Sequence, residues 1–154
     1  MSVRVSRSAT ASWQGTVPDG GGRIGLGSRA FEGAFTLRNR VEDSVRGTNP
    51  EELIAAAQAG CFTMSLADLL SEAGSPPQDL RTTVRVRLEQ KEEGFRITRI
   101  AVTTVGDVPG VDEERFIALA ERAKSTCPVS LALAGTEITL EASLQTPTAQ
   151  GVDA

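Results

Sequence analysis

The feature that most constrains this fold is a long apolar helix near the middle of the chain. Asn49 suits the N-cap, Pro50 suits the first helical position, and Glu52 lies three residues after the cap. We expect the helix to run to about Glu72, because a glycine and two prolines follow. Its centre, residues 53–62, is apolar on nearly all sides. A helix without a polar face is buried by a sheet or by a partner chain, so we expect a buried central helix in a tight homodimer.

The segments on either side of this helix alternate between hairpin strands and shorter helices. The strand candidates are residues 4–13, 23–26, 34–38, 82–90, 95–105 and 136–144, and the further helices are residues 112–124 and a short one at 129–134. The resulting order, βββ-α-ββ-α-β, is typical of an α+β fold with antiparallel sheets. No linker divides the chain, so we predict one domain over residues 1–145 and a polar tail over residues 146–154.

The composition disfavours several classes of function. Histidine and tyrosine are absent, which excludes imidazole-based catalysis and the common histidine-ligated zinc centres, and no metal or cofactor is expected. The net charge of −4 disfavours a nucleic-acid partner. Residues 1–13 lack an apolar block of signal-peptide type, and the uncharged run at residues 53–67 is shorter than the roughly 20 residues of a membrane span. We therefore expect a soluble, cytoplasmic protein that binds no membrane.

The chain contains two cysteines, Cys61 and Cys127, for which two interpretations stay open. Free cysteine is among the most buried residue types, so both could be inert core residues. Cys61, however, follows Gly60 inside the long helix, where glycine costs roughly 1 kcal/mol relative to alanine. Cys127 precedes Pro128 at an expected helix start, where unpaired N–H groups lower the pKa of a thiol. These features favour the second interpretation, a redox or nucleophilic pair.

Two motifs of the sequence are specific enough to indicate a family. The first is residues 47–62, GTNPEELIAAAQAGCF, and the second is CPVS at residues 127–130, followed by Leu131 and Leu133. Together they closely resemble motifs of the osmotically inducible protein C and organic hydroperoxide resistance family, and the double glutamate favours the first branch. The resemblance covers residues 3–145. It implies an intertwined homodimer that reduces organic hydroperoxides by thiol chemistry.

The resemblance also implies a set of catalytic residues. Cys61 matches the peroxidatic cysteine and Cys127 matches the resolving one. Glu51 matches the acid that orients an active-site arginine, and that arginine corresponds to Arg40, with Arg23 as the alternative. Ten residues separate Glu51 from Cys61, about 15 Å along a helix. We therefore expect Arg40 and Glu51 of each site to come from the partner chain.

The implied reaction is the reduction of a hydroperoxide through a sulfenic acid at Cys61 and a disulfide with Cys127. A dithiol reductant, which the resemblance suggests is a dihydrolipoyl protein, would restore the thiols. Phe62 and Met64 are candidates for lining a substrate pocket, although core packing is the better single interpretation of each. The sequence departs from the family pattern at Val41 and Gln58, and neither departure is expected to be chemical.

Two other functions are weighed against peroxide reduction. One is a non-catalytic stress protein that binds an apolar ligand and keeps its cysteines by chance. The other is cysteine-based acyl transfer, against which the absence of histidine or another obvious base argues.

Overall fold

The computed structural model describes residues 2–43 and 46–146, and its contacts divide the chain into two compact units, Met1–Leu53 and Ile54–Ala154. From residue 147 onward, the expected polar tail lies outside the described residues. The organisation of residues 1–145 as one domain stays a prediction.

The first unit contains a three-stranded antiparallel sheet in the order β1-β2-β3, formed by Ala9–Gln14, Gly21–Leu26 and Glu32–Phe35. The register brings Trp13 opposite Gly22 and Gly22 opposite Phe35. The two rings pack over the glycine with their centroids 5.3 Å apart. Glycine is required there, because a Cβ atom would lie 2.7 Å from the Phe35 ring.

The strand predicted for residues 34–38 ends earlier than expected. After β3, the chain turns into a short helix, α1, at Leu37–Val41. Thr36 caps this helix by accepting a hydrogen bond from the Asn39 N–H at 3.2 Å. The prediction of a strand through Arg38 was therefore wrong, because a threonine N-cap redirects the backbone.

The central helix, α2, runs over Pro50–Glu72 as predicted. Asn49 Oδ1 accepts from the Glu52 N–H at 2.8 Å, which confirms the N-cap, and Gly74 has the positive φ of 83° that follows many helices. Within the second unit, the buried stripe of α2 consists of residues four apart: Gln58, Phe62, Leu66 and Leu70. The opposite face is exposed at Ala56, Ala57, Gly60 and Met64. A single chain therefore does not bury this helix completely.

The length and hydropathy of α2 are also sufficient for a membrane span. Its buried stripe, however, packs into the core of the second unit together with side chains of β5 and the next helix. This is the position of a core helix in a soluble protein.

The second unit contains a mixed sheet in the order β4-β5-β6, formed by Asp79–Lys91, Gly94–Asp107 and Glu137–Leu144. β4 and β5 form the predicted antiparallel hairpin. β6, however, pairs with β5 in parallel, so the prediction of antiparallel sheets was wrong for this strand. The reason is the connection, which crosses over through two helices, α3 at Glu113–Thr126 and α4 at Pro128–Ala132.

The core of the second unit forms where α2 and α3 pack on this sheet. Its fully buried members include Phe62, Leu66 and Leu70 of α2, Ile100 and Val102 of β5, and Phe116, Ala120 and Ala123 of α3. The core thus fixes the helix that carries Cys61 and the helix that leads into Cys127.

Candidate functional site

The two cysteines of the second unit are free thiols that lie close enough for each to shift the pKa of the other. Cys61 lies on α2 and is partly exposed, whereas Cys127 is completely buried. Cys127 occupies the junction of α3 and α4: its N–H donates to Ala123 O at 2.9 Å, and its carbonyl accepts from the Leu131 N–H at 3.0 Å. Proline at the first position of α4 stops α3 at this point, so the junction holds the sulfur next to α2.

The surroundings shift the pKa values of the two thiols in opposite directions. Burial raises the pKa of Cys61, and the neighbouring Cys127 raises it further, more than the Val129 N–H and the Ser65 hydroxyl lower it. Burial also acts to raise the pKa of Cys127, but hydrogen bonds from Cys61 and Ser130 outweigh burial and lower it. Within the described part of this unit, the thiolate is therefore favoured at Cys127. Since only a thiolate attacks peroxide efficiently, Cys61 needs a cation that none of these neighbours supplies.

The predicted arginine and glutamate form an ion pair in the first unit. Arg40 Nη2 and Nε donate to Glu51 Oε1 at 2.6 and 2.9 Å, and Nε also lies 3.2 Å from Oε2. The Glu51 side chain is 8% exposed and that of Arg40 is 37% exposed. The buried carboxylate thus fixes one edge of the guanidinium, while the remaining Nη1 is free of protein partners within the described residues and can bind a ligand.

Local hydrogen bonds hold the segment that carries Arg40. The Asn39 side chain donates to Arg46 O at 2.7 Å, and the Asn49 side chain donates to Asn39 O at 3.0 Å. These bonds tie α1 to the start of α2, which carries Glu51. The ion pair therefore has a rigid frame on both sides.

The alternative arginine has a different environment. Arg23 Nε donates to Glu32 Oε1 at 2.7 Å across β2 and β3, and both side chains are more than half exposed. This is an ordinary cross-strand surface pair, which adds little stability. Of the two candidates, Arg40 has the buried acidic partner expected of an active-site arginine.

An apolar cavity of about 210 Å³ opens beside Arg40 in the first unit. Its lining consists of Trp13, Val17, Phe35, Thr36, Leu37, Arg40 and Pro50. The sequence suggested Phe62 and Met64 instead, but Phe62 is completely buried in the core of the second unit and Met64 is 76% exposed. Trp13 and Phe35 escaped prediction because only the pairing of three strands brings them together.

Comparisons with known proteins identify the class to which this arrangement belongs. The sequence model of the family described as OsmC-like protein matches residues 42–143, which include Glu51, Cys61 and Cys127. The chain is 38% identical over 144 residues to peroxiredoxin OsmC of Escherichia coli strain K12, covering 93% of this chain and 99% of the relative. It is 32% identical over 103 residues to organic hydroperoxide resistance protein OhrA of Bacillus subtilis strain 168, covering 66% and 72%.

The fold agrees with this assignment. An organic hydroperoxide resistance protein from Elizabethkingia anophelis superimposes with a TM-score of 0.77 at 26% identity, covering 94% of this chain and all of that one. The chain therefore belongs to the OsmC-like protein family, and the family resemblance of its two motifs is confirmed.

Proposed function

We propose that this protein is a cysteine-based peroxidase that reduces organic hydroperoxides to alcohols in defence against oxidative or osmotic stress. The observation that carries the proposal is the proximity of two free thiols, Cys61 and Cys127, each of which shifts the pKa of the other. It is supported by membership of a family whose members include proteins named peroxiredoxin OsmC and organic hydroperoxide resistance protein. A protein that merely binds an apolar ligand has no need to bring its thiols into contact.

The reaction proceeds in three chemical steps. The Cys61 thiolate attacks the terminal peroxide oxygen; an S–O bond forms, the O–O bond breaks, and the alkoxide leaves as an alcohol after taking up a proton. The Cys127 thiolate then attacks the sulfur of the Cys61 sulfenic acid, which forms the disulfide and releases hydroxide as water. A dithiol reductant restores both thiols by exchange and is itself oxidised to a disulfide.

Arg40 and Glu51 of a partner chain complete each site. The raised pKa of Cys61 requires a nearby cation, and a guanidinium both lowers a thiol pKa and binds peroxide oxygens through its N–H groups. Glu51 keeps that guanidinium oriented. An ideal helix separates residues 51 and 61 by about 15 Å, which argues for supply from the partner.

A homodimer also accounts for the exposed face of α2. Ala57, Gly60 and Met64 lie on this face, and apart from its chain neighbours and the nearby backbone of the helix itself, no described atom lies within 4 Å of the place a Cβ would take at Gly60. Soluble proteins rarely leave an apolar helix face open to water, and a second copy of the same helix would cover it.

The cavity beside Arg40 is suited to the organic part of the substrate. Its walls are largely apolar and include Trp13, Phe35 and Leu37. An alkyl or aryl group would occupy it while Arg40 binds the hydroperoxide group. This arrangement favours organic hydroperoxides over hydrogen peroxide, which has no apolar part.

The cytoplasm is the expected location, because redox-active free thiols need a reducing compartment between catalytic cycles. A dihydrolipoyl protein is the proposed physiological dithiol.

Steady-state turnover tests the proposed function. The protein is supplied with cumene hydroperoxide, tert-butyl hydroperoxide or hydrogen peroxide, and with dihydrolipoamide, thioredoxin or glutathione as reductant. We expect the highest kcat/KM for an organic hydroperoxide with dihydrolipoamide. If the protein consumes no hydroperoxide with any reductant, yet binds cumyl alcohol, the alcohol that corresponds to cumene hydroperoxide, it would instead be an apolar-ligand-binding protein.

A further inference from the structure

A polar residue interrupts the buried apolar stripe of α2. Gln58 is completely buried and precedes Phe62, Leu66 and Leu70 along that stripe. Its Nε2 donates to the Ser130 hydroxyl at 2.7 Å, whereas its Oε1 has no hydrogen-bond partner among the described residues. A buried amide with one unsatisfied acceptor costs stability, so a leucine or methionine would pack here at lower cost. Its cost suggests a role other than packing.

Ser130 connects this amide to the resolving thiol. Cys127 is the N-cap of α4 and Ser130 is the third residue of that helix, so the two side chains are neighbours. The hydroxyl and the backbone N–H of Ser130 both act to lower the pKa of Cys127. A hydroxyl has one proton to donate, and when that proton points at the Cys127 sulfur, the oxygen must accept from another donor. Gln58 Nε2 is that donor. The result is a directed chain from the Gln58 amide through the Ser130 hydroxyl to the Cys127 sulfur.

The chain of hydrogen bonds lies in a region from which water is largely excluded. Ser130 is 5% exposed, and both Gln58 and Cys127 are completely buried. In such surroundings each hydrogen bond is stronger than in water and polarises the next one. The other groups that set the pKa of Cys127 are the Cys61 thiol on α2 and the Val129 N–H on α4, and no charged side chain is among them.

We propose that Gln58 is a positioning residue for Cys127, which it serves by aiming the Ser130 hydroxyl at the sulfur of the resolving thiol. This inference rests on the proposed function, since it concerns the formation and opening of the Cys61–Cys127 disulfide. Gln58 therefore has a chemical role, whereas the sequence alone suggested none.

The same hydrogen bonds assist both directions of thiol exchange. During disulfide formation, a stabilised Cys127 thiolate attacks the Cys61 sulfenic acid. The S–S bond forms, the S–O bond breaks, and hydroxide leaves as water. During reduction, the thiolate of the dithiol attacks Cys61, which is partly exposed, whereas Cys127 is buried. The S–S bond then breaks with its electron pair on Cys127, and a thiol of lower pKa is the better leaving group.

The test measures the pKa of Cys127 without any peroxide. In the Cys61→Ser background Cys127 is the sole thiol, so the ultraviolet absorbance of the thiolate against pH reports on it alone. Gln58→Met removes the donor at similar volume, and Ser130→Ala removes the hydroxyl. Each is expected to raise the pKa of Cys127, and the double variant is expected to raise it no further than Ser130→Ala does.

Leu66→Met is the matched control, because it alters the same buried stripe but leaves Gln58, Ser130 and Cys127 unchanged. It is expected to leave the pKa of Cys127 unchanged. An unchanged pKa in Gln58→Met, or an equal shift in Leu66→Met, would overturn the proposal. If Gln58→Met does not fold, Ser130→Ala carries the test alone, and the proposal fails if that variant leaves the pKa unaltered.

A second measurement follows the rate of Cys61–Cys127 disulfide formation in the protein that keeps both cysteines. After one equivalent of cumene hydroperoxide, Gln58→Met should form its disulfide about three- to tenfold more slowly than the wild type at neutral pH, the effect of one lost hydrogen bond. A rate equal to that of the wild type would count against the proposal. Since the pKa measurement needs no catalysis, a protein without peroxidase activity would refute the proposed function and leave the role of Gln58 to be judged separately.

Discussion

Mixed dimers provide a strict test of the composite site. One chain carries Arg40→Met and Glu51→Gln and keeps both cysteines. The other carries Cys61→Ser and keeps the Arg40–Glu51 pair. Both charges are removed together because the Glu51 side chain is 8% exposed, and a buried carboxylate left without its partner would destabilise the fold by itself.

The expected activity follows from the twofold symmetry of the proposed dimer. In a twofold dimer of these two chains, one site has an intact Cys61 facing an intact ion pair, and the other site has neither. Equal amounts of freely exchanging chains give heterodimers as half of all dimers, so about one quarter of the wild-type sites are restored. Each parent alone is nearly inactive: one lacks the attacking sulfur, and the other keeps a Cys61 whose pKa burial has raised.

The assay is the initial rate of cumene hydroperoxide consumption after the two variants are unfolded together and refolded. Purification through two different tags then isolates the heterodimer, which should show about half of the wild-type rate. As a control, Arg23→Met replaces the arginine of the exposed pair with Glu32 and should be active without any mixing. A mixture no more active than its two parents would refute the supply of Arg40 and Glu51 from the partner chain.

Three further predictions concern stability and association. Gly106→Ala should lower the free energy of unfolding in urea by about 1–3 kcal/mol, because its Cβ would lie 2.8 Å from the Phe116 ring; unaltered stability would contradict this packing. Met64→Asp should weaken self-association in sedimentation equilibrium. The same change at the exposed Phe95, after the β4–β5 turn, should not; equal effects would argue against a dimer through α2. In the wild-type protein the lowered pKa of Cys127 should stabilise the fold above the unfolded pKa of about 8.5, and this contribution should be lost as pH falls through the folded pKa; urea unfolding of the wild type and of Cys127→Ser over this pH range checks it, because only the wild type has this contribution to lose.

The sequence predicted those parts of the fold that local signals determine. The N-cap at Asn49 and the residues that follow Glu72 fix both ends of α2 without help from the rest of the chain. The alternation along β4 likewise fixes which of its sides faces the core. The direction of β6 is different: its own residues favour a strand, but only the crossover through α3 and α4 makes it parallel to β5.

The site was predictable to a similar extent. The two motifs indicated Cys61 and Cys127, and the structure brings these thiols together. The pKa of Cys127 depends on Ser130, and the Ser130 hydroxyl accepts from Gln58, which is 72 residues away in sequence, so no local pattern reveals this hydrogen bond. Ser130 was visible as the last residue of the second motif, but nothing in the sequence gave it a hydrogen-bond partner.

We propose that two sulfur atoms, one on α2 and one at the α3–α4 junction, reduce a hydroperoxide and become joined in a disulfide. Reduced protein should receive one equivalent of cumene hydroperoxide, be alkylated and be digested without reductant for peptide mass analysis. We expect one cross-linked peptide pair that joins Cys61 to Cys127 within a chain, and none in Cys61→Ser. Unmodified thiols after the hydroperoxide is added, or a Cys61–Cys61 disulfide between two copies, would contradict it.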